Sequence, residues 1–240
     1  MTELWDYFGR ALLVLKGHKK PALILILTGL LCYTLPRLRD DWGLFMLSHL
    51  SVMFVILPLI YGKYAETLKN NPRVPYGDIL RKYWLDFILV NLVIGSPLLV
   101  TAFLSIFLPV FEVVEAVMLL LIVASTIYVT PLVFMSNRSL SCIPLGIKCL
   151  LGNFRFSSPL VVLTLASSLL VPLVSVLCLR YVGRLASVIV GYLGWAIGTI
   201  VDVALFITVS IILQEKLLGS GSYYDRGGEE TPCAVSGPPG

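Results

Sequence analysis

Charged side chains are scarce in this sequence. Asp, Glu, Lys and Arg together make up 13% of the 240 residues, against 58% for the hydrophobic types. A soluble domain carries about 25% charged residues, so this composition excludes an ordinary soluble protein. The apolar residues form continuous runs, and a helix needs about 17–25 such residues to cross the hydrocarbon core of a bilayer. The sequence therefore predicts an all-α, polytopic integral membrane protein.

Sequence motifs for catalysis or metal binding are also missing. The chain has no H-E-x-x-H, P-loop, G-x-S-x-G or G-x-G-x-x-G pattern. Its five cysteines include no C-x-x-C pair, and the two histidines are not near them in sequence. We therefore expect no metal and no cofactor, and an enzyme is the function that the sequence favours least.

Six apolar runs are long enough to be transmembrane helices. They cover roughly residues 21–36, 42–62, 86–108, 113–135, 158–179 and 187–213. The first run ends in CYTLPRLRD without a small-residue cleavage site, which is typical of a retained span. Residues 1–218 form the predicted six-span membrane domain. Residues 219–240 are rich in Gly, Ser and Pro without apolar periodicity, and they predict a disordered tail.

The distribution of Lys and Arg predicts the orientation of these spans. With the N-terminus inside, only four of the 18 basic residues fall outside, namely Arg37, Arg39, Arg180 and Arg184. Cytoplasmic loops collect Lys and Arg, so both termini are expected in the cytoplasm. The net charge of +4 then reflects orientation and contact with anionic lipid head groups, and it indicates no nucleic acid. Cys32 and Cys178 both come near the outer side, where a disulfide would depend on the packing.

A short amphipathic segment precedes each pair of spans, which indicates an internal repeat. The three segments are DYFGRALLVLKGHKKPALIL, VPYGDILRKYWLDFILVNL and IPLGIKCLLGNFRFSSPLVVL. Gly9, Gly77 and Gly146 align within them at spacings of 68 and 69 residues. Basic amphipathic helices that carry aromatic residues lie in the membrane interface. The sequence thus predicts three units, at about 1–68, 69–140 and 141–218, each an interfacial helix followed by a transmembrane hairpin.

This arrangement resembles a group of bacterial membrane proteins. The group comprises the YciC-like inner-membrane proteins and the membrane domain of some glycerophosphodiester phosphodiesterases. The residues that carry the resemblance are the P-x-G openings at Pro75 and Pro144 and the hairpin ends PLIYGKYAETL and PLVFMSNRSL. The resemblance implies the bacterial cytoplasmic (inner) membrane and an accessory role there. It implies no catalytic residue, and the chain contains no phosphodiesterase domain.

One acidic residue, Asp202, stands inside the apolar run GWAIGTIVDVALF. It would lie about 18 Å along the helix from Gln214, near the middle of the membrane. A carboxylate there costs a few kcal/mol, so it should face protein or water. It continues a face of small residues, Ser187, Gly191, Gly194 and Gly198. Because small residues let helices approach closely, we expect this face to form a tight helix–helix contact.

Two roles for Asp202 remain open from the sequence. In one, Asp202 and His49 belong to a proton or cation path, with Asn91 as another polar neighbour in a span. In the other, Asp202 is a neutral carboxyl group that is hydrogen-bonded to a neighbouring helix and sets its register. His49 on its own is more typical of a packing residue.

These observations lead to two functional hypotheses. The first is a non-catalytic accessory or scaffold protein, whose interfacial helices and small-residue faces would contact lipid, a protein partner or a second copy of the chain. The second is a small transporter or permease that uses Asp202 as its intramembrane coupling residue. The first predicts that Asp202→Asn is nearly silent, whereas the second predicts that this change abolishes function in an assembled protein.

Overall fold

The computed structural model describes residues 2–39, 42–105, 108, 110–136 and 139–218, and no strand occurs within these ranges. The helices are α1 (Thr2–Gly17), α2 (Lys19–Arg39), α3 (Trp42–Ser51), α4 (Leu57–Leu68), α5 (Tyr76–Ser105), α6 (Val110–Ser136), α7 (Cys142–Gly152), α8 (Phe154–Tyr181) and α9 (Arg184–Ile212). A π-helical turn, Val52–Ile56, joins α3 to α4, and a second one, Leu213–Leu218, follows α9. The predicted tail, 219–240, lies outside the described residues.

The all-helical class is confirmed, and the apolar helices are compatible with a membrane protein. Among the described residues, three segments are long and apolar enough to cross a membrane: Tyr76–Ser105, Val113–Ser136 and Ala186–Glu215. The segments Cys142–Gly152 and Ser157–Ser167 meet at an angle of 112° and would form a fourth span if they were counted together. The number of six spans stays a prediction.

The second interfacial helix does not exist as a separate element. Residues 76–105 form one continuous helix, α5, whereas α1 and α7 are separated from the helices that follow them. The breaks fall at Gly17-His18 and Gly152-Asn153, and glycine favours helix ends. Between Gly77 and Gly95, α5 contains neither Gly nor Pro, so nothing in its sequence ends the helix there.

The helices pack in a recurring order. α2 contacts α3, α5 contacts α6 and α8 contacts α9, while α4, α6 and α9 also contact one another at the centre. α1 packs on α9, the start of α5 packs on α4, and α7 packs on α6. Close approaches occur at Gly62, where a Cβ atom would collide with Ile79, and at Gly146, where it would lie 3.0 Å from the Val129 Cα.

The best-buried part of the protein lies towards one end of the bundle. Its largest fully buried side chains include Tyr64, Tyr83, Tyr128, Phe134 and Ile207. Hydrogen bonds join the elements there: the Tyr64 hydroxyl donates to the His18 carbonyl at 2.9 Å, and the hydroxyls of Tyr128 and Ser157 lie 2.8 Å apart. Cys32 and Cys178 are free thiols.

The π-helical turn before α4 has an identifiable cause. Proline lacks a backbone N–H, so Pro58 leaves the Phe54 carbonyl without its helical partner. The Leu57 N–H instead donates to the Val52 carbonyl, which is the wider hydrogen bond of a π-helix. The indole N–H of Trp84 on α5 donates to the Phe54 carbonyl at 2.8 Å. The turn places Val52 and Met53 at the centre of the bundle.

Candidate functional site

A cavity of about 610 Å³ lies among the helices of the described part of the chain. Its walls come from α2, the π-helical turn, α4, α6, α8 and α9. Ligand-binding cavities usually measure about 300–1,000 Å³ and are mostly apolar with a few convergent polar groups. The volume and the composition of this cavity fit that description.

Three helical segments contribute equivalent pairs of residues to the cavity wall. They are the π-helical turn together with α4, then α6, then α9. Each pair is separated by four positions, which lie on one helical face. The pairs are Met53 and Leu57, Thr126 and Thr130, and Gly198 and Asp202. At the second residue of the pair, the first segment contributes an aliphatic side chain, the second contributes a hydroxyl group and the third contributes a carboxylate.

Asp202 is exposed and lines the cavity. Within the described residues its hydrogen-bond donor is the Ser167 hydroxyl on α8, at 3.5 Å from the Asp202 Oδ1. This distance is long for a bond between oxygen atoms. The same hydroxyl has a better acceptor in the Thr164 carbonyl at 2.9 Å, and it has only one proton to donate. The carboxylate thus keeps most of its accepting capacity for a group inside the cavity.

The other polar groups of the cavity wall include hydroxyl groups and the indole N–H of Trp195. Thr126 and Thr164 donate to carbonyls of their own helices, Val123 and Leu160, at 2.9 and 2.8 Å. Trp195 packs so closely on Gly29 of α2 that a Cβ atom at Gly29 would collide with the indole ring. Its buried Nε1 has no hydrogen-bond partner among the described residues.

The site residues expected from the sequence are only partly brought together. Gly194, Gly198 and Asp202 all line the cavity, whereas Asn91 on α5 donates to the Phe87 carbonyl of its own helix at 2.8 Å. His49 lies on α3, and its side chain is outside the described part of the structure.

The small-residue face of α9 has two environments. Gly191 is buried and Ser187 is half-buried. A Cβ atom at Gly198 would meet nothing within 4 Å, so this position borders open space where we expected a neighbouring helix. The space around Asp202 therefore results from the absence of side chains on this face.

An aromatic layer borders the cavity. It consists of Tyr61 from α4, Phe134 from α6 and Phe206 from α9. Tyr61 and Phe206 are stacked with ring centroids 4.4 Å apart, and Phe134 contacts both rings edge-on, at 6.2 and 5.6 Å. Tyr61 and Phe206 also line the cavity. The three helices thus meet at this layer.

A charged cluster lies beyond the aromatic layer. The buried Glu66 carboxylate accepts hydrogen bonds from the Lys82 Nζ at 2.8 Å and from the Tyr83 hydroxyl. The Lys69 Nζ donates to the Phe134 carbonyl at 2.7 Å and to the Tyr83 hydroxyl at 3.2 Å. Hydrogen bonds from Lys82 and Tyr83 favour the charged form of a carboxyl group. The carboxylate is therefore held in its charged form at this end of the bundle.

Sequence reasoning did not find the aromatic and hydroxyl groups of the site. A signal was present, because Pro58 and Pro131 each precede an aromatic residue, Tyr61 or Phe134, by three positions. Thr126 and Thr130 also occupy one helical face, as Gly198 and Asp202 do. That these faces converge depends on helix packing, which the sequence pattern does not show.

Comparison with known proteins identified no relative. No family model, no curated protein and no solved structure matches the chain. The resemblance to the YciC-like proteins therefore stays a prediction, and the function has to be argued from the cavity.

Proposed function

We propose that this protein is a small transporter or permease whose substrate binds in the central cavity, with Asp202 as the coupling residue. The observation that carries the proposal is an exposed carboxylate in a cavity of about 610 Å³ between apolar helices. Ionisable residues inside membrane helices are costly, and those that face a cavity mark ion or substrate pathways. A scaffold needs neither the cavity nor the carboxylate.

The proposal includes six spans in a bacterial inner membrane, with both termini in the cytoplasm. α2 has 21 residues and α8 has 28, which at 1.5 Å per residue gives about 31 and 42 Å. Both lengths match or exceed the hydrocarbon core of about 30 Å. The remaining span would be composite, formed by α3, the π-helical turn and α4.

We also propose that the chain is a threefold repeat around the cavity. The Pro58-Leu-Ile-Tyr61 and Pro131-Leu-Val-Phe134 stretches correspond to Val203–Phe206, and the final aromatic residue of each joins the aromatic layer. The packing of α1 on α9, α5 on α4 and α7 on α6 follows the same cyclic order. Transporters often place the substrate at the interface between repeats.

The repeat would be imperfect at its interfacial segments. α5 is continuous where units one and three have a separate helix. A Cβ atom at Gly9 or Gly77 would meet nothing within 4 Å, whereas Gly146 is packed against Val129. We propose that α1 and α7 lie along the anionic head groups, because Trp5, Leu13 and Leu151 expose about two thirds of their surface.

Thiol accessibility at Gly198 tests the proposed function without knowledge of the substrate. In a background without the native cysteines, we expect Gly198→Cys in membrane vesicles to react with a charged, membrane-impermeant thiol reagent, because water fills a transport cavity. Gly95→Cys is the matched control, since Gly95 lies within the span Tyr76–Ser105 and also borders open space, but does not line the cavity.

The result that would overturn the proposal is equal protection of the two thiols. If Gly198→Cys reacts no faster than Gly95→Cys in vesicles, although both react fully after denaturation, the cavity is dry. The accessory or scaffold hypothesis would then be favoured.

A further inference from the structure

We infer that the cavity binds a lipophilic organic cation, meaning an amine, quaternary ammonium or phosphonium ion with apolar substituents. This inference rests on the proposed function and names its substrate class. It follows from the charge, the hydrogen-bonding groups and the walls of the cavity.

The charge of the cavity favours a cation. Asp202 is the one carboxylate among the described residues that line it, and none of these residues is Lys, Arg or His. A charge in an apolar environment is costly unless it is paired, so a carboxylate there attracts a positive partner. An anionic ligand would meet repulsion from Asp202 and would find no basic side chain in the described wall.

Two hydroxyl groups of the wall also favour a ligand that donates hydrogen bonds. The protons of Thr126 and Ser167 are engaged by backbone carbonyls of their own helices. These hydroxyls therefore present lone pairs to the cavity, as does Asp202. An ammonium group can use these acceptors, whereas a ligand made of acceptors such as a carboxylate cannot.

Aromatic side chains supply the second element of recognition. Tyr61, Phe206 and Trp195 line the same cavity as Asp202. Organic cations are attracted to the faces of aromatic rings, and quaternary ammonium ions are bound in this way without hydrogen bonds. Leu25, Val52 and Ile127 add aliphatic surface for apolar substituents.

A hydrated metal cation fits less well. Calcium takes 6–8 oxygen ligands, usually from several carboxylates and carbonyls, and magnesium keeps much of its water. The described residues contain no group of three His, Cys, Asp or Glu side chains that could hold a metal ion. The volume of about 610 Å³ also exceeds what a single ion needs and lies in the range for drug-sized ligands.

The test uses two ions of nearly equal size and opposite charge, tetraphenylphosphonium and tetraphenylborate. We expect the purified full-length protein in detergent to bind tetraphenylphosphonium saturably in equilibrium dialysis, and tetraphenylborate at least about tenfold more weakly. Asp202→Asn should reduce the tetraphenylphosphonium affinity by about tenfold or more, and Asp202→Glu, which keeps the charge, should retain most of it. Tetraphenylphosphonium should also protect Gly198→Cys from the thiol reagent.

Equal binding of the two ions by the unmodified protein would overturn this inference without any variant having to fold. Unchanged tetraphenylphosphonium affinity in a folded Asp202→Asn protein would overturn it as well. If the Gly198→Cys thiol is accessible but tetraphenylphosphonium does not bind, the substrate class is wrong while the transporter proposal stands. If the thiol is protected without any ligand, both proposals fail.

Discussion

At the scale of single residues, Pro58 and Trp84 show how a membrane helix tolerates a proline. Pro58 removes one backbone donor, and the Phe54 carbonyl that loses its partner accepts from the Trp84 indole at 2.8 Å. In lipid no water can replace this hydrogen bond, so an unpaired carbonyl would be costly. Pro97 is compensated in a similar way, because the Ser96 hydroxyl donates to the Val93 carbonyl at 2.8 Å.

Replacing Trp84 should therefore destabilise the protein. We expect Trp84→Phe to lower the free energy of unfolding by about 1–3 kcal/mol, the cost of an unsatisfied polar group. Unfolding in a denaturing detergent titration measures this change. In a Pro58→Ala background residue 58 regains its N–H, so the loss caused by Trp84→Phe should shrink. Equal losses in the two backgrounds would show that the hydrogen bond is not the cause.

At the scale of helices, the aromatic layer separates the cavity from the charged cluster around Glu66. Phe134 is fully buried and contacts four rings, those of Tyr61, Tyr83, Phe87 and Phe206. Its backbone carbonyl also accepts from Lys69. Because these contacts connect α4, α5, α6 and α9, we interpret the layer as the closed inner end of the cavity.

Weakening the aromatic layer should open this end. Phe134→Leu keeps an apolar side chain but loses ring contacts worth about 0.5–1.5 kcal/mol each. We expect it to speed the labelling of Gly198→Cys by a reagent added from the side of the termini. Labelling rates in inside-out vesicles measure the effect, and Phe154→Leu at an exposed position is the control. Unchanged labelling would mean that the layer does not limit access.

At the scale of the whole molecule, the two ends of the chain meet. α1 packs on α9, and Arg10 on α1 donates to the Glu215 carboxylate, with 3.1 Å between the Arg10 Nη1 and Glu215 Oε2. This contact brings the two ends of the described chain together, as the proposed even number of spans requires. The hydrogen bond also raises the pKa of Arg10.

Topology reporters should give the same result at both termini. We expect a cytoplasmic reporter fused to either end to be active, because the basic residues favour that orientation. An epitope inserted after Gly183 in the turn between α8 and α9 should be accessible from outside. Gly183 has φ +120°, a conformation that suits glycine, and a turn there tolerates insertion better than a helix does. Reporters on opposite sides would indicate an odd number of spans.

Much of the architecture could be predicted from local patterns. Continuous apolar runs predicted helices suited to a membrane, because every residue of a span contributes to the free energy of transfer into lipid. The breaks at Gly17 and Gly152 were also predictable from glycine. The continuity of α5 was not predicted. The start of α5 is amphipathic, and an amphipathic pattern has the same period whether it belongs to a separate interfacial helix or to the end of a transmembrane helix.

The sequence by itself determined that this chain is apolar and helical, as a membrane protein is, with an unusual acidic residue, Asp202, on a face of small residues. Only the tertiary structure decided that Gly194 and Gly198 line a cavity, because the same small side chains allow either close helix packing or open space. The convergence of Tyr61, Phe134 and Phe206 likewise depends on how α4, α6 and α9 pack. Hydropathy and periodicity are properties of each helix, whereas a cavity is a property of the distances between helices.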